Sequence, residues 1–230
     1  MIPWKELDRA NVPGQEGEVV LLKRGEEFSI RTAGTELMNS RVHASEDALA
    51  ELACLHIKRE GPLKILIGGL GMGYTLAALL LHSEPDTIIT VAELIPDVVR
   101  WNREYFGDPA SMPLDDPRVS VEIGDVAASI GRGSCSLDAI LLDVDNGPDG
   151  LTRSENDRLY TIQGLTKAFS ALRDGGVLAV WSAAPDQAFT RRLNQCGFHT
   201  KIVTVRARKS GKGARHTIWL AKKKGKRGER

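Results

Sequence analysis

The sequence predicts an α/β fold: a mostly parallel sheet covered by helices on both faces, an antiparallel C-terminal hairpin, and a small N-terminal β-unit. Three observations carry this prediction. From residue 62 onward, short apolar runs ending in small or acidic residues alternate with stretches of helical apolar spacing. Near the end that alternation gives way to two strand-like runs around a Gly- and Lys-rich turn. Before residue 62, short strand patterns are joined by glycine turns.

In the N-terminal part, "EVVLLKRG", "EEFSIRTAG" and "TELMNSR" read as strands. "SEDALAELACLHIKREG" reads as a helix with Ser45 as its N-cap and a stop at Gly61-Pro62. The buried strands of the main part are "KILIGG", "TIITVAE", "VSVEIGD", "LDAILLD" and "GVLAVWS". Between them "YTLAALLLH", "IPDVVRWNREYF" and "SENDRLYTIQGLTKAFSALRD" have helical spacing, and "DVAASI" is a short helical run. Asp-Gly-Gly after the longest of these reads as a helix stop. Strand–helix alternation implies right-handed βαβ units and a parallel sheet. "FHTKIVTVRA" and "RHTIWLAKK" then close the sheet as a hairpin, which is the layout of the class I methyltransferase fold, Rossmann-like, by analogy. The expected units are residues 1–61 (β-unit and linking helix), 62–221 (Rossmann-like domain) and 222–230 (basic tail).

Length and charge narrow the function classes. A chain of 230 residues can bury a full core without staples. The three cysteines, Cys54, Cys135 and Cys196, match no metal or redox spacing, so small buried hydrophobes in a reducing compartment are expected. The five histidines show no metal spacing either, and no metal site is expected. The first residues carry charges where a signal peptide would be apolar, and no run is long enough to span a bilayer, so a cytoplasmic protein is expected. The net charge of +1 conceals an asymmetry: residues 201–230 hold twelve Lys or Arg against one acid, and residues 1–200 hold nineteen against twenty-nine. An acidic body suits a cationic substrate, while the basic end offers a weaker case for nucleic acid.

The chemistry is concentrated at strand ends. "ILIGGLGMGYTL" sets Gly69, Gly71 and Gly73 between a strand and a helix, where a missing Cβ lets backbone approach a ligand. The spacing is Gly-x-Gly-x-Gly, and Tyr74 stands where a dinucleotide fingerprint would have its third glycine, which argues against NAD. Glu93 ends the next strand, where a carboxylate can accept ribose hydroxyls. Asp125 ends the third, placed to take an adenine amino group, with Val126 covering the ring. Leu94, beside Glu93, completes the cofactor-binding candidates. Three such positions at successive strand ends define an adenosyl pocket.

With "GGLGMG", "VAELIPDVVRWNREYF", "VEIGD", "LDAILLDVDNGPDG" and "RLYTIQGLTKAFSALRDGGVLAV", the chain resembles the spermidine synthase family from about residue 18 to 185. That family lies within the S-adenosylmethionine-dependent methyltransferase superfamily. The resemblance implies a small N-terminal β-unit and a decarboxylated S-adenosylmethionine donor, or S-adenosylmethionine itself in relatives. It implies a ribose role for Glu93, an adenine role for Asp125, and for Asp143 the part of a base that holds the attacking amine. Tyr160 aligns with an aromatic position on the following helix.

The acceptor half departs from the family. Its Asp-x-x-Asp-Pro run is here "DVDNGP", with Asp145 two residues after Asp143, Asn146 third, and Pro148 displaced. The family's tyrosine and glutamine before the glycine loop are replaced by "RVHASEDALAEL", where His43, Glu46 and Asp47 are the polar candidates. Catalysis is therefore expected of Asp143 and Asp145, and substrate contact of Tyr160, His43 and Glu46. From Gly147 onward the segment is expected to be turn geometry.

These departures place methyl transfer to an unidentified acceptor first, with aminopropyl transfer to a diamine as the alternative. An RNA-directed methyltransferase and a non-catalytic nucleoside-binding protein stand behind them. The expected partner is a small molecule of polyamine type, with no membrane, and the exposed N-terminal strands offer an edge for a homodimer.

Overall fold

The computed structural model describes every residue except 1, 15–16, 59–60, 107–111, 145–156, 209, 212 and 226–230. Four short strands form an antiparallel sheet in chain order: β1 (Lys5–Asn11), β2 (Glu18–Arg24), β3 (Glu27–Thr32) and β4 (Thr35–Asn39). Val19, Leu21, Phe28 and Ile30 turn inward from its middle strands. After helix α1 (Ala44–His56) comes a seven-stranded sheet. Its strands are β5 (Lys64–Gly68), β6 (Ile88–Glu93), β7 (Val119–Ile123), β8 (Leu137–Leu142), β9 (Leu172–Ser182), β10 (Phe198–Arg206) and β11 (Arg215–Lys223). Their order is β10-β11-β9-β8-β5-β6-β7. β5 to β9 pair in parallel, and β11 runs antiparallel to both β9 and β10.

The helices between the strands are α2 (Tyr74–His82), α3 (Pro96–Trp101), α4 (Val126–Gly131), α5 (Asp157–Tyr160), α6 (Ile162–Ala171) and α7 (Gln187–Gln195). Because side chains alternate along a strand, the main sheet builds a core on each face. Ile65, Ile67 and Leu141 join α1, α2, α3 and the N-terminal sheet, whereas Leu66, Ile140 and Leu142 join α4, α6 and α7. The N-terminal sheet thus shares an uninterrupted core with one face of the main sheet. Trp101, fully buried, also donates from Nε1 to Asp8 Oδ2 at 2.8 Å, which ties β1 to α3.

Several boundaries differ from the sequence expectation, each for a local reason. His43, not Ser45, occupies the N-cap of α1, and the Ser45 hydroxyl donates instead to Glu46 Oε2 at 2.6 Å. "IPDVVRWNREYF" is α-helical only to Trp101 and continues as a π-helical turn over Asn102–Phe106. Asn102 Nδ2 donates both to the Val98 carbonyl at 2.9 Å and to Gly71 at 2.7 Å, fastening that turn to the glycine loop. The helix before "DGG" breaks at Thr161 and ends at Ala171, and Leu172–Gly176 already belongs to β9. β1 and α7 are additional elements; α7 is capped by Asp186, which accepts from the Ala188 and Phe189 amides.

Lys222 and Lys223 lie within β11 and not in a solvated tail. Lys223 is 7% exposed, and its ammonium donates to the carbonyls of Phe169 at 2.9 Å and Leu172 at 2.7 Å. A buried charge is tolerable only when hydrogen-bonded in this way.

The main sheet reverses strand order between β5 and β8, and their ends approach closely. Gly69 donates to the Ala92 carbonyl and Asp143 to that of Gly68, each at 2.9 Å. Gly69 has φ +87°, and a Cβ there would sit 2.4 Å from the Asp143 carbonyl oxygen. Gly69→Ala should therefore destabilise the fold by roughly 2–4 kcal/mol, since left-handed strain and a backbone clash add. Urea unfolding of the two proteins would measure it, and an unchanged midpoint would contradict the close approach.

Candidate functional site at the switch point of the sheet

Open α/β sheets bind ligands beyond the carboxyl ends of their strands, where strand order reverses. Here the glycine loop leaves β5 and Asp143 leaves β8, on the two sides of that point. Gly71, at φ +53°, leaves a space into which the thioether end of Met38 from β4 reaches; a Cβ would lie 2.7 Å from its Cε. Gly73, at φ +81°, is the N-cap of α2. Two of these glycines thus serve contacts within the chain: Gly69 admits the Asp143 backbone, and Gly71 admits Met38.

Glu93 is 7% exposed at the end of β6. Its carboxylate accepts from the Leu70 amide at 2.8 Å through Oε2 and from the Ile95 amide at 2.9 Å through Oε1. These bonds aim the group at the glycine loop, and a carboxylate so placed has the chemistry to accept a ribose hydroxyl. Leu94 beside it is half-buried and packs against the core. Asp125 is exposed after β7 and caps α4, accepting from the Ala127 amide at 2.8 Å. Val126 is buried, and its Cγ2 fills the space over Gly68, where a Cβ would come within 2.8 Å. These strand-end residues have the chemistry that an adenosyl group requires: two carboxylates, an open backbone turn and apolar neighbours.

On the other side of the glycine loop, Asp143 accepts a hydrogen bond from Thr75 Oγ1 at 2.5 Å. Thr75 stands in the first turn of α2, directly after the glycines. Burial pushes the Asp143 carboxyl up to about 6, against the pull of the Thr75 hydroxyl toward the ionised form. Glu46, on the first turn of α1, is pushed up to about 7 by its own burial and then by the negative charge of Asp143. The two carboxyls are therefore one interacting pair, reluctant to be ionised together.

Around the pair the side chains are held firmly. His43 stacks on Tyr74 with centroids 4.0 Å apart and planes 10° from parallel, and its Nδ1 lies 3.0 Å from Asp47 Oδ1. Burial, with Glu46 and Asp47 nearby, pushes the Tyr74 phenol up to about 12, so it stays protonated and donates to the Ser40 carbonyl at 3.3 Å. A cavity of about 310 Å³ adjoins Glu46 and is walled by Met38, Asn39, Trp181, Arg208 and His216 among others.

The sequence-expected acceptor residues fare differently. Asp143, Glu46 and His43 are brought together. Asp145 lies outside the described residues, as do Asn146 and Pro148. Tyr160 is 3% exposed, edge-on to Phe189 at 5.6 Å, and its hydroxyl reaches the Val144 carbonyl at 3.5 Å. It buttresses the strand end that carries Asp143 from within the core. Thr75, Ser45, Trp181 and His216 were not singled out as site residues from sequence. Only Thr75 had a signal, as a hydroxyl in the turn where a glycine loop becomes a helix. Among the described residues no group of three metal-ligating side chains gathers, and no helix is long and apolar enough to cross a membrane.

The sheet order and the strand-end site define the class: a Rossmann-like protein with the fold of S-adenosylmethionine-dependent methyltransferases. Comparison with solved structures agrees. A spermidine synthase from Thermotoga maritima superposes with a TM-score of 0.75 over 95% of this chain and 72% of that one, at 18% identity. A spermidine synthase in complex with the transition state analogue AdoDATO gives 0.74 over the same shares, also at 18% identity.

The Spermine/spermidine synthase domain model matches residues 43–192, and the chain belongs to that family. A polyamine aminopropyltransferase from Korarchaeum cryptofilum is 30% identical over 123 residues, which are 54% of this chain and 36% of the relative. One from Mycobacterium tuberculosis is 29% identical over 172 residues, 73% of this chain and 31% of the relative. The chain therefore spans about a third of the length of these two relatives.

The raised carboxyl pair makes a prediction about stability. The folded state holds a proton on Glu46 that the unfolded chain releases near its ordinary 4.5, so stability falls as pH rises from about 4.5 to 7. Glu46→Gln abolishes that loss. Relative to the parent, the variant should gain roughly 1–3 kcal/mol between pH 4.5 and 8. Denaturant unfolding at the two pH values would show it; a difference independent of pH would refute a raised Glu46.

Proposed function

We propose that this protein transfers an aminopropyl group from decarboxylated S-adenosylmethionine to an amine acceptor. The observation that carries the reading is the Asp143–Glu46 pair, two acidic groups at the end of β8 and the start of α1 beside the glycine loop. Such a pair favours a cationic acceptor, and its mutual repulsion is relieved when an ammonium enters. A donor that retained its carboxylate would add negative charge near carboxyls already burdened by burial. Both points favour aminopropyl transfer over the methyl transfer placed first on sequence grounds, as does kinship with polyamine aminopropyltransferases.

The chemistry needs alignment and one proton removal. The donor supplies a carbon activated by positively charged sulfur. Glu93 and Asp125 would hold its ribose and adenine, with Val126 and Leu94 as apolar neighbours. Asp143, oriented by Thr75, would take a proton from the acceptor ammonium. The freed nitrogen lone pair then forms the new C–N bond as the C–S bond breaks and its electrons return to sulfur, leaving a neutral thioether. A carboxyl titrating near 6 suits this role better than one near 4, because it binds a proton more firmly and is still ionised at neutral pH.

Calorimetry with the decarboxylated donor and with S-adenosylmethionine tests the donor, and the decarboxylated form should bind more tightly. Asp143→Asn should lower transfer to a diamine by about 100-fold or more while leaving donor affinity within a few-fold. Preference for S-adenosylmethionine, or an unaltered rate in the variant, would sink this assignment.

A further inference from the structure

The family match ends at residue 192, yet part of the wall of the cavity beside Glu46 comes from later residues: Ala207, Arg208, Gly213, Ala214 and His216 of the C-terminal hairpin. One of these is wired to the carboxyl pair. His216 Nδ1 lies 2.8 Å from Ser45 Oγ, which lies 2.6 Å from Glu46 Oε2. The His216 ring stands edge-on to Trp181, with centroids 4.7 Å apart and planes at 72°. Burial holds its pKa below the usual 6.5, so it is neutral at neutral pH.

A hydroxyl has one hydrogen to give. When Glu46 is ionised, Ser45 must donate to it, and His216 must then donate its Nδ1–H to Ser45. The other ring nitrogen, Nε2, is left with a bare lone pair. When Glu46 is protonated the chain runs the other way: Glu46 donates to Ser45, Ser45 donates to Nδ1, and Nε2 carries the hydrogen. No bond to carbon changes and no electrons are exchanged. Glu46 gives one proton to water, the serine hydroxyl turns, and the imidazole exchanges one N–H for the other through solvent.

We propose that His216 is an acceptor-binding residue, which the Glu46–Ser45 chain sets as a hydrogen-bond acceptor in the cavity so that a protonated amine is held there when Glu46 is ionised. This rests on the amine reading above for the identity of the ligand. It adds a neutral acceptor to the acidic end of the cavity, while Trp181 and Met38 offer apolar surface for methylene groups. The charged and titratable groups around the chain are His43 at the N-cap of α1, Asp47 on α1, Tyr74 on α2, Asp143 after β8, Glu36 on β4 and Arg208 in the hairpin turn. Of these, Asp143 is the one that opposes Glu46 ionisation most directly.

The test is nitrogen-15 NMR of His216 in the full chain from pH 6 to 8, free and with 1,4-diaminobutane as the probe. The free protein should pass from Nε2–H to Nδ1–H as pH rises through about 7. The diamine should favour Nδ1–H and shift the Nε2 resonance. Ser45→Ala should abolish the pH response and weaken the probe by about 5- to 10-fold, the scale of one lost hydrogen bond. A single tautomer at every pH, or the same pH response in Ser45→Ala, would overturn the proposal. So would binding that shifts Thr75 and Asp143 but leaves His216 unmoved, although the amine reading would then survive. A tautomer that switches in a protein that binds no amine would instead overturn the amine reading and the binding role of His216 together.

Discussion

The approach of the chain after β8 to the chain after β5 governs the rest of the site. Asp143 bonds through its backbone to Gly68, and its carbonyl occupies the space that a side chain at Gly69 would need. Because the backbones come so close, the Asp143 carboxyl is brought against the first turn of α2, where the Thr75 hydroxyl meets it. The same approach places it beside α1 and Glu46. A bulkier residue in the loop would separate these elements, and the carboxyl pair would lose both its burial and its coupling.

The pair in turn explains why so many polar groups crowd the start of α1. Two buried carboxyls each need donors to remain charged at all. Thr75 serves Asp143 and Ser45 serves Glu46, while His216 reaches Ser45 from a position 171 residues further along the chain. Ser45 therefore stands inside the helix and not at its cap. The N-terminal sheet contributes Met38 over Gly71 and Asn39 on the cavity wall, so it completes the site as well as sharing its core.

The residues proposed for the nucleoside and those proposed for the acceptor have different origins. Glu93, Asp125 and the glycines belong to successive strand–helix junctions of one sheet, all within the stretch that matches the family. The cavity proposed for the acceptor draws on β4, α1, the end of β9 and the C-terminal hairpin, and much of its wall lies outside that stretch.

What the sequence by itself determined follows from local periodicity and punctuation. Apolar runs ending in Gly68, Glu93, Asp125 and Asp143 marked the strands and the candidate site residues at their ends, because a βαβ unit repeats those signals within some thirty residues. The closing hairpin was legible for the same reason. Tertiary structure decided what is not local. It sent Ser45 to Glu46, drew Lys223 into the core against backbone carbonyls, turned Tyr160 inward against Phe189, and brought His216 to the carboxyl pair. Apart from the Ser45–Glu46 bond between neighbours, each of these depends on a partner far away in the chain, and a side chain's role at such a contact is set by burial and geometry that no spacing rule encodes.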